Sequence, residues 1–379
     1  MKQVVNIARI LVGGLFIFSG LVKAIDPLGL AYKMQEFFEV WASEGIMKGM
    51  MHWLNEHALM FSLFMITLEV VLGIALLLGW KTKVVSWLLL LLTLFFTFLT
   101  GYVLFSGKIR ACGCFGDCIP LTPIQTFTKD IVLLVLVLLI LSGRRYIKPL
   151  FLNTMNVAVI LISLFAVLGL QWYVLKHLPV KDCLPFKVGN NIFELRKPPK
   201  DATYDKFQYT YFYKKGTEEK DFEYGKQPDS TWIYVDGKMP NKKLIEKGNG
   251  KLALINDFIL TTARGNDTTE ALLTGQAEYY LLFVKDVNLL PKAPAYDQQF
   301  AVFAMERGKQ VFVVSSERRN AEARYGSLFI AGRKLNIPVL TGDVVALKTA
   351  ARNNITLYLM NGPVVKNKWG GNDIEKALK

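Results

Sequence analysis

Five apolar segments fill the first half of this 379-residue chain, at about residues 10–25, 59–79, 84–105, 126–141 and 152–175. Runs of that length with few charges can satisfy their backbone polar groups in hydrocarbon only as helices, so they read as membrane spans. The first and fourth are short for a full crossing and need flanking residues to complete one. Lys2 and Arg9 ahead of an apolar core, with a small residue at Ala24, also suit a secretory leader. Four further spans follow and no Ala-x-Ala cleavage pattern is present, which favours a retained helix. Beyond residue 175 the composition is that of a soluble sequence. The net charge of +14 comes with no basic stripe interleaved with aromatics. It therefore points to the lipid bilayer surface as partner and not to nucleic acid.

The short loops orient the bundle. Lys2 and Arg9 precede the first span, Lys81 and Lys83 join the second and third, and Arg144, Arg145 and Lys148 join the fourth and fifth. These clusters share one face, which the positive-inside rule makes cytoplasmic; Lys108 and Arg110 on the other side are a mild counter-signal. The opposite face receives residues 26–58 with Glu36, Glu39, Glu44 and Glu56. It also receives the loop Ala111-Cys112-Gly113-Cys114-Phe115-Gly116-Asp117-Cys118 and everything after the fifth span. All four cysteines, Cys112, Cys114, Cys118 and Cys183, are thereby placed outside. In a bacterium that is the oxidising periplasm beyond the inner membrane, where disulfides persist.

Four cysteines allow three complete pairings, and spacing does not choose among them. A bridge between close cysteines in a small ring is strained and readily reduced, which suits exchange, with a neighbouring thiol to resolve the mixed disulfide. The alternative is two structural bridges, one tying the Cys183 linker to the loop. That linker, about eight residues beyond the fifth span, reaches at most about 26 Å, enough to bring Cys183 over the bundle mouth. A metal site with His177 matches no usual zinc spacing.

Polar residues inside the spans also require explanation. Glu69 lies near the middle of the second span, where an ionised side chain costs about 2.5–3.5 kcal/mol on insertion scales. It reads either as a hydrogen-bonded carboxyl joining two helices or as a functional group facing the interior. Lys23 and Asp26 sit one turn apart at the outer end of the first span, as a snorkelling lysine and a chain-turning Asp-Pro, or as members of a site. Asp130, next to Lys129, is a candidate proton acceptor in thiol exchange, or a carboxylate favouring a helix N-terminus. By analogy with other membrane thiol oxidases, Glu69, Lys23 and Asp26 are candidate quinone-side groups, although no quinone motif is visible.

Phe18-Ser19-Gly20-Leu21-Val22-Lys23-Ala24-Ile25-Asp26-Pro27 is similar to the end of the first helix in the DoxX-like membrane family. Cys112-Gly113-Cys114-Phe115-Gly116 resembles MauE, a member of that group associated with disulfide formation in methylamine dehydrogenase. The whole arrangement resembles long Bacteroidetes proteins that join a DoxX/MauE-like bundle to a periplasmic extension. The resemblance covers residues 1 to about 145 and implies a four-helix unit, which makes the fifth helix a tether. It also implies a charged position near Asp130, close to the thiols.

Residues 184–250 alternate aromatic and polar side chains, as in Phe207-Gln208-Tyr209-Thr210-Tyr211-Phe212-Tyr213, with turn signals at Asp236-Gly237 and Asn249-Gly250. This predicts a small β-rich module. Strands are then expected at residues 279–284, 310–315, 337–340 and 355–360, with helices at 296–307 and 343–352 and a closing hairpin at Asn361-Gly362. This part resembles a thioredoxin fold of the TlpA or peroxiredoxin kind, with Asn256-Asp257-Phe258-Ile259-Leu260 like its opening strand. The chain departs from that family where it matters for chemistry. Asp286-Val287-Asn288-Leu289-Leu290-Pro291 stands in place of Cys-x-x-Cys, and Ile355 or Thr356 in place of the cis-proline.

The expected architecture is a helical membrane bundle over residues 1–148, of the four-helix DoxX/MauE-like kind. A fifth helix and linker (149–183), a β-rich module (184–250) and an α/β thioredoxin-like domain without its thiols (251–379) follow. The expected function is periplasmic thiol–disulfide exchange with a protein partner, carried by Cys112, Cys114, Cys118 and Cys183. The rival expectation is a non-enzymatic scaffold whose outer domains bind an envelope protein.

Overall fold

The computed structural model describes residues 1–109, 113, 116–226, 228–235, 240–275, 278–290, 302–303, 308–326, 328–330 and 333–378. The chain opens with helices α1 (Lys2–Ala24), α2 (Pro27–Ser43), α3 (Lys48–Glu56), α4 (Ala58–Leu78), α5 (Thr82–Ser106), α6 (Pro123–Gly143) and α7 (Asn153–Lys176). Of these, α1, α4, α5, α6 and α7 are long and apolar enough to cross a bilayer. The first and fourth spans do gain their length from flanking residues, beginning at Lys2 and at Pro123.

Local chemistry fixes the helix ends. Thr122 and Gln125 form a reciprocal capping box with Pro123 in the first turn, so α6 starts sharply after the cysteine loop. Helix α4 stops at Gly79 in the left-handed region (φ +69°). Its last carbonyls, of Leu76 at 2.9 Å and of Leu77, accept from the Arg9 guanidinium of α1. Glycines then let α1 and α4 approach closely. A Cβ on Gly73 would lie 2.9 Å from the Gly13 carbonyl, and one on Gly20 would lie 2.5 Å from a Val70 methyl. Without a hydrophobic drive between helices in lipid, such backbone proximity is what dispersion can use. It is also what sets the outer end of α1 against the middle of α4.

The region after α7 is β-rich. Strand β1 (Lys206–Lys215) pairs antiparallel with β2 (Glu218–Glu223), β3 (Ile233–Tyr234) and β4 (Asn241–Glu246). A second sheet contains β5 (Leu260–Thr261), β6 (Glu278–Val284), β7 (Gln310–Ser315), β10 (Val339–Gly342), β11 (Ile355–Asn361) and β12 (Val364–Gly370), in the order β12-β11-β6-β7-β10-β5. Strands β6, β7 and β10 are parallel, whereas β11 and β12 form the expected antiparallel hairpin. Strands β8 (Leu328–Ile330) and β9 (Arg333–Leu335) pair separately.

Strand β6 is buried on both faces: Tyr279, Leu281 and Phe283 in one core, Tyr280, Leu282 and Val284 in the other. That burial explains its unbroken apolar run. Phe186 and Ile192 belong to the first of these cores, and Gly189 and Ile192 donate backbone hydrogen bonds to Val365 and Pro363. The chain is thus packed on the large sheet almost immediately after Cys183. The expected helix at 296–307 and the turn at Asp236-Gly237 lie largely or wholly outside the described residues.

Candidate functional site

Two groups of buried charge lie close together along α1. The inner one is within the bundle. Lys23 Nζ sits 2.5 Å from Glu69 Oε1, and each residue is 3% exposed. Asp130, 1% exposed, accepts from Thr100 Oγ1 at 3.0 Å and pairs with Lys129 at 2.7 Å. The Lys23 ammonium also lies 4.8 Å from the centre of the Phe96 ring. Lys23, Glu69, Lys129 and Asp130 line one cavity of about 20 Å³ together with Ser19 and Thr93. That space holds about one water, far less than a quinone ring needs.

The outer group closes the mouth. After Ala24 the chain turns at Asp26, whose side chain accepts from the Gly29 amide and starts α2. Its other oxygen takes the Nε of Arg352 at 2.8 Å, from the turn between helix α8 (Val344–Ala350) and β11. The same guanidinium reaches Asp117 of the cysteine loop at 2.7 Å and the Lys348 carbonyl at 2.8 Å. Arg352 is 5% exposed. Burial opposes its charge, but Asp26 and Asp117 outweigh that and hold its pKa above the ordinary value.

Tyr32 of α2 is the hub on the bundle side. The charges of Lys285, Lys348 and Arg352 lie 5.2–5.6 Å from its ring centre, and Lys285 donates to its hydroxyl at 2.9 Å. Burial pushes the Tyr32 hydroxyl up to about 12. Burial, with Arg352 adding repulsion, brings Lys285 down to about 8. Lys348 donates to Gln35 at 3.0 Å. The side-chain amide of Asn353 caps α7 by donating to the carbonyls of Leu175, Lys176 and His177. The edge at which β6 ends and β11 begins is therefore seated on the bundle.

Cys118 and Cys183 form a disulfide across 65 residues with Cα atoms 4.8 Å apart. The linker does bring Cys183 to the loop at the mouth. Asp182, immediately before Cys183, makes a joint of its own, pairing with Lys368 of β12 at 2.8 Å. Cys112 and Cys114 lie outside the described residues. Gly113 and Gly116 between and beside them both have positive φ, and a Cβ on Gly113 would touch the Lys33 stem of α2 at 3.3 Å. Gly113 thus lies against α2.

The structure brings together Lys23, Glu69 and Asp130, and separately Cys118, Cys183 and Asp26. Lys23 is enclosed by the bundle and paired instead of snorkelling to the interface. Asp130 is not at the start of its helix: it lies two turns into α6, where the dipole of the first turn has faded, and its partners are Thr100 and Lys129. Asp26 both turns the chain and takes Arg352. Sequence reasoning missed Arg352, Tyr32, Lys285 and Asn353. Each is an ordinary residue for its segment, so no local pattern marks it. Asp117, inside the cysteine motif, was the nearest available signal. Among the described residues no group of three or more His, Cys, Asp or Glu could hold a metal.

Residues 1–143 match the family model described as Methylamine utilisation protein MauE. Protein TlpB of Flavobacterium psychrophilum is 32% identical over 130 residues, which are 33% of this chain and 32% of that protein. The matched stretch thus spans about a third of that relative's length. No solved structure matches. With five apolar spans the chain is a multi-pass membrane protein, and its first 143 residues are similar to MauE.

Proposed function

We propose that this protein takes part in thiol–disulfide exchange on the periplasmic face of a bacterial inner membrane. The observation that carries the reading is the half-buried Cys118–Cys183 disulfide at the bundle mouth, in the same loop as Cys112 and Cys114. The partner is a periplasmic protein dithiol. Its thiolate attacks one sulfur of the disulfide, forming a mixed disulfide as the Cys118–Cys183 bond breaks, and the displaced thiolate takes a proton. The partner's second thiol then attacks the mixed disulfide. The partner leaves oxidised, and both of its protons end on Cys118 and Cys183. Cys112 and Cys114 are assigned the return of the pair to its oxidised form.

A membrane quinone belongs to this proposal only as a class of final acceptor. Its ring does not fit the cavity beside Lys23 and Glu69, so those residues are not assigned to hold it and no step is routed through it.

The C-terminal sheet is read as thioredoxin-like from its parallel β10-β7-β6 core followed by the antiparallel hairpin. With Lys285 and Asp286 where that fold carries its thiols, its role is to hold the cysteine loop at the mouth. The four-helix unit with α7 as tether belongs to the same reading.

Full-length Cys183→Ser protein tests the function. Its free Cys118 should accumulate a mixed disulfide with a periplasmic protein in intact cells, released by reductant and absent from a Cys118→Ser/Cys183→Ser protein. No adduct, together with unchanged partner oxidation in every single cysteine variant, would end the reading. The scaffold alternative rests on the Arg352, Asn353 and Lys368 joints, which fasten the outer domain firmly. A native Cys118–Cys183 bridge that resists mild reductant would favour it.

A further inference from the structure

The polar cavity inside the bundle does more than pair charges. Oε1 of Glu69 takes the Lys23 ammonium, but Oε2 of this 97%-buried residue has no hydrogen-bond partner among the described residues, and Glu69 lines a space the size of one water. Buried polar atoms are ordinarily satisfied, and a polar space this small holds water when it has such partners.

The placement of the two carboxyls points the same way. Lys23 pairs with Glu69 and Lys129 with Asp130, so the four formal charges balance, but Glu69 and Asp130 line the same water-sized space, with side chains 2–4% exposed. In a low-dielectric interior, two neighbouring carboxylates repel, and a proton shared between them relieves that repulsion. From α5 the cavity receives Thr93 and Phe96, neither of which titrates, and among the described residues α7 contributes nothing to its wall.

We propose that this cavity is an intramembrane proton-binding site, in which one water donates to Glu69 Oε2 and the Glu69 and Asp130 carboxyls hold one exchangeable proton between them. The partly exposed Lys129 is its link to solvent. The site is independent of the thiol chemistry.

Infrared difference spectroscopy of the full chain in lipid bilayers, stepped through pH, tests this. A carboxylic-acid C=O band should grow as pH falls and move in D2O. Glu69→Gln should abolish it. Asp130→Asn removes the neighbouring carboxylate and should lower the midpoint by roughly one pH unit or more. Glu44→Gln, at an exposed ion pair with Lys108, should leave the band in place. Should Glu69→Gln fold poorly, Lys23→Met/Glu69→Gln removes both members of the pair and must also lack the band. Parent spectra that superimpose on those of the Glu69 variant throughout would overturn the proposal. Loss of thiol exchange with the band intact would strike only the function proposed above.

Discussion

The bundle interior and the bundle mouth solve the same problem, burying charge, with different materials. Inside, Lys23 and Glu69 sit on two helices pressed together through Gly13, Gly20 and Gly73, 46 positions apart in the chain. At the mouth, Arg352 reaches back 326 residues to Asp26 and 235 to Asp117. The interior pair is a consequence of helix packing within a membrane unit. The mouth exists only once the outer domain is folded and seated. The comparison teaches that charge in a lipid-embedded core is internally paired before docking, whereas the docked surface is paid in long-range contacts.

The sharpest way to break that contrast is Glu69→Ala. An unpaired Lys23 in the core should cost about 3–5 kcal/mol, read as a lower midpoint of unfolding in detergent, with much of the loss recovered in Glu69→Ala/Lys23→Met. Removing the disulfide by Cys118→Ser should cost about 2–5 kcal/mol. It should act at the mouth alone, so that protease cuts near the Cys183 linker while the spans stay intact.

Arg352→Met strips two carboxylates of their charged donor and should cost about 1.5–3 kcal/mol. Its signature is faster hydrogen exchange in β11 and at the end of α7, with none in α4. If α4 loosens equally, mouth and interior are a single cooperative unit and the contrast fails.

The smallest expected effect is on pH. Lys285, at about 8, binds its proton less readily folded than unfolded, where lysine titrates near 10.4. Between those values the unfolded chain carries the extra proton, so stability rises with pH through this window, by at most about 1.4 kcal/mol per unit. Tyr32, raised to about 12, acts oppositely above its unfolded value near 10: the folded chain then holds the extra proton, and stability falls as pH climbs. Unfolding midpoints between pH 8 and 10 should rise in the parent and flatten in Lys285→Met.

Much of this was legible beforehand. A charged residue in a run of leucines is conspicuous, so Glu69, Lys23 and Asp130 drew attention without knowledge of their partners. The strands at 279–284, 310–315 and 355–360 emerge within a residue of where their apolar runs lie, because strands buried on both faces leave no alternation to misread. The roles were less legible. Asp130 read as a helix-end charge near the thiols, and only the capping box at Thr122 shows that its helix begins two turns earlier. Residues 184–195 read as part of the aromatic module, yet Phe186 and Ile192 pack in the larger core, since two apolar residues fit either neighbour equally well on composition.

By itself the sequence determined five spans and the presence of charges that lipid cannot tolerate alone, because length, hydropathy and desolvation are local properties. Tertiary structure decided the partners: Lys23 for Glu69, Cys183 for Cys118, and Arg352 for both Asp26 and Asp117. Pairing across tens to hundreds of residues depends on how close two backbones come, and that follows from glycine contacts and domain docking that no local window contains.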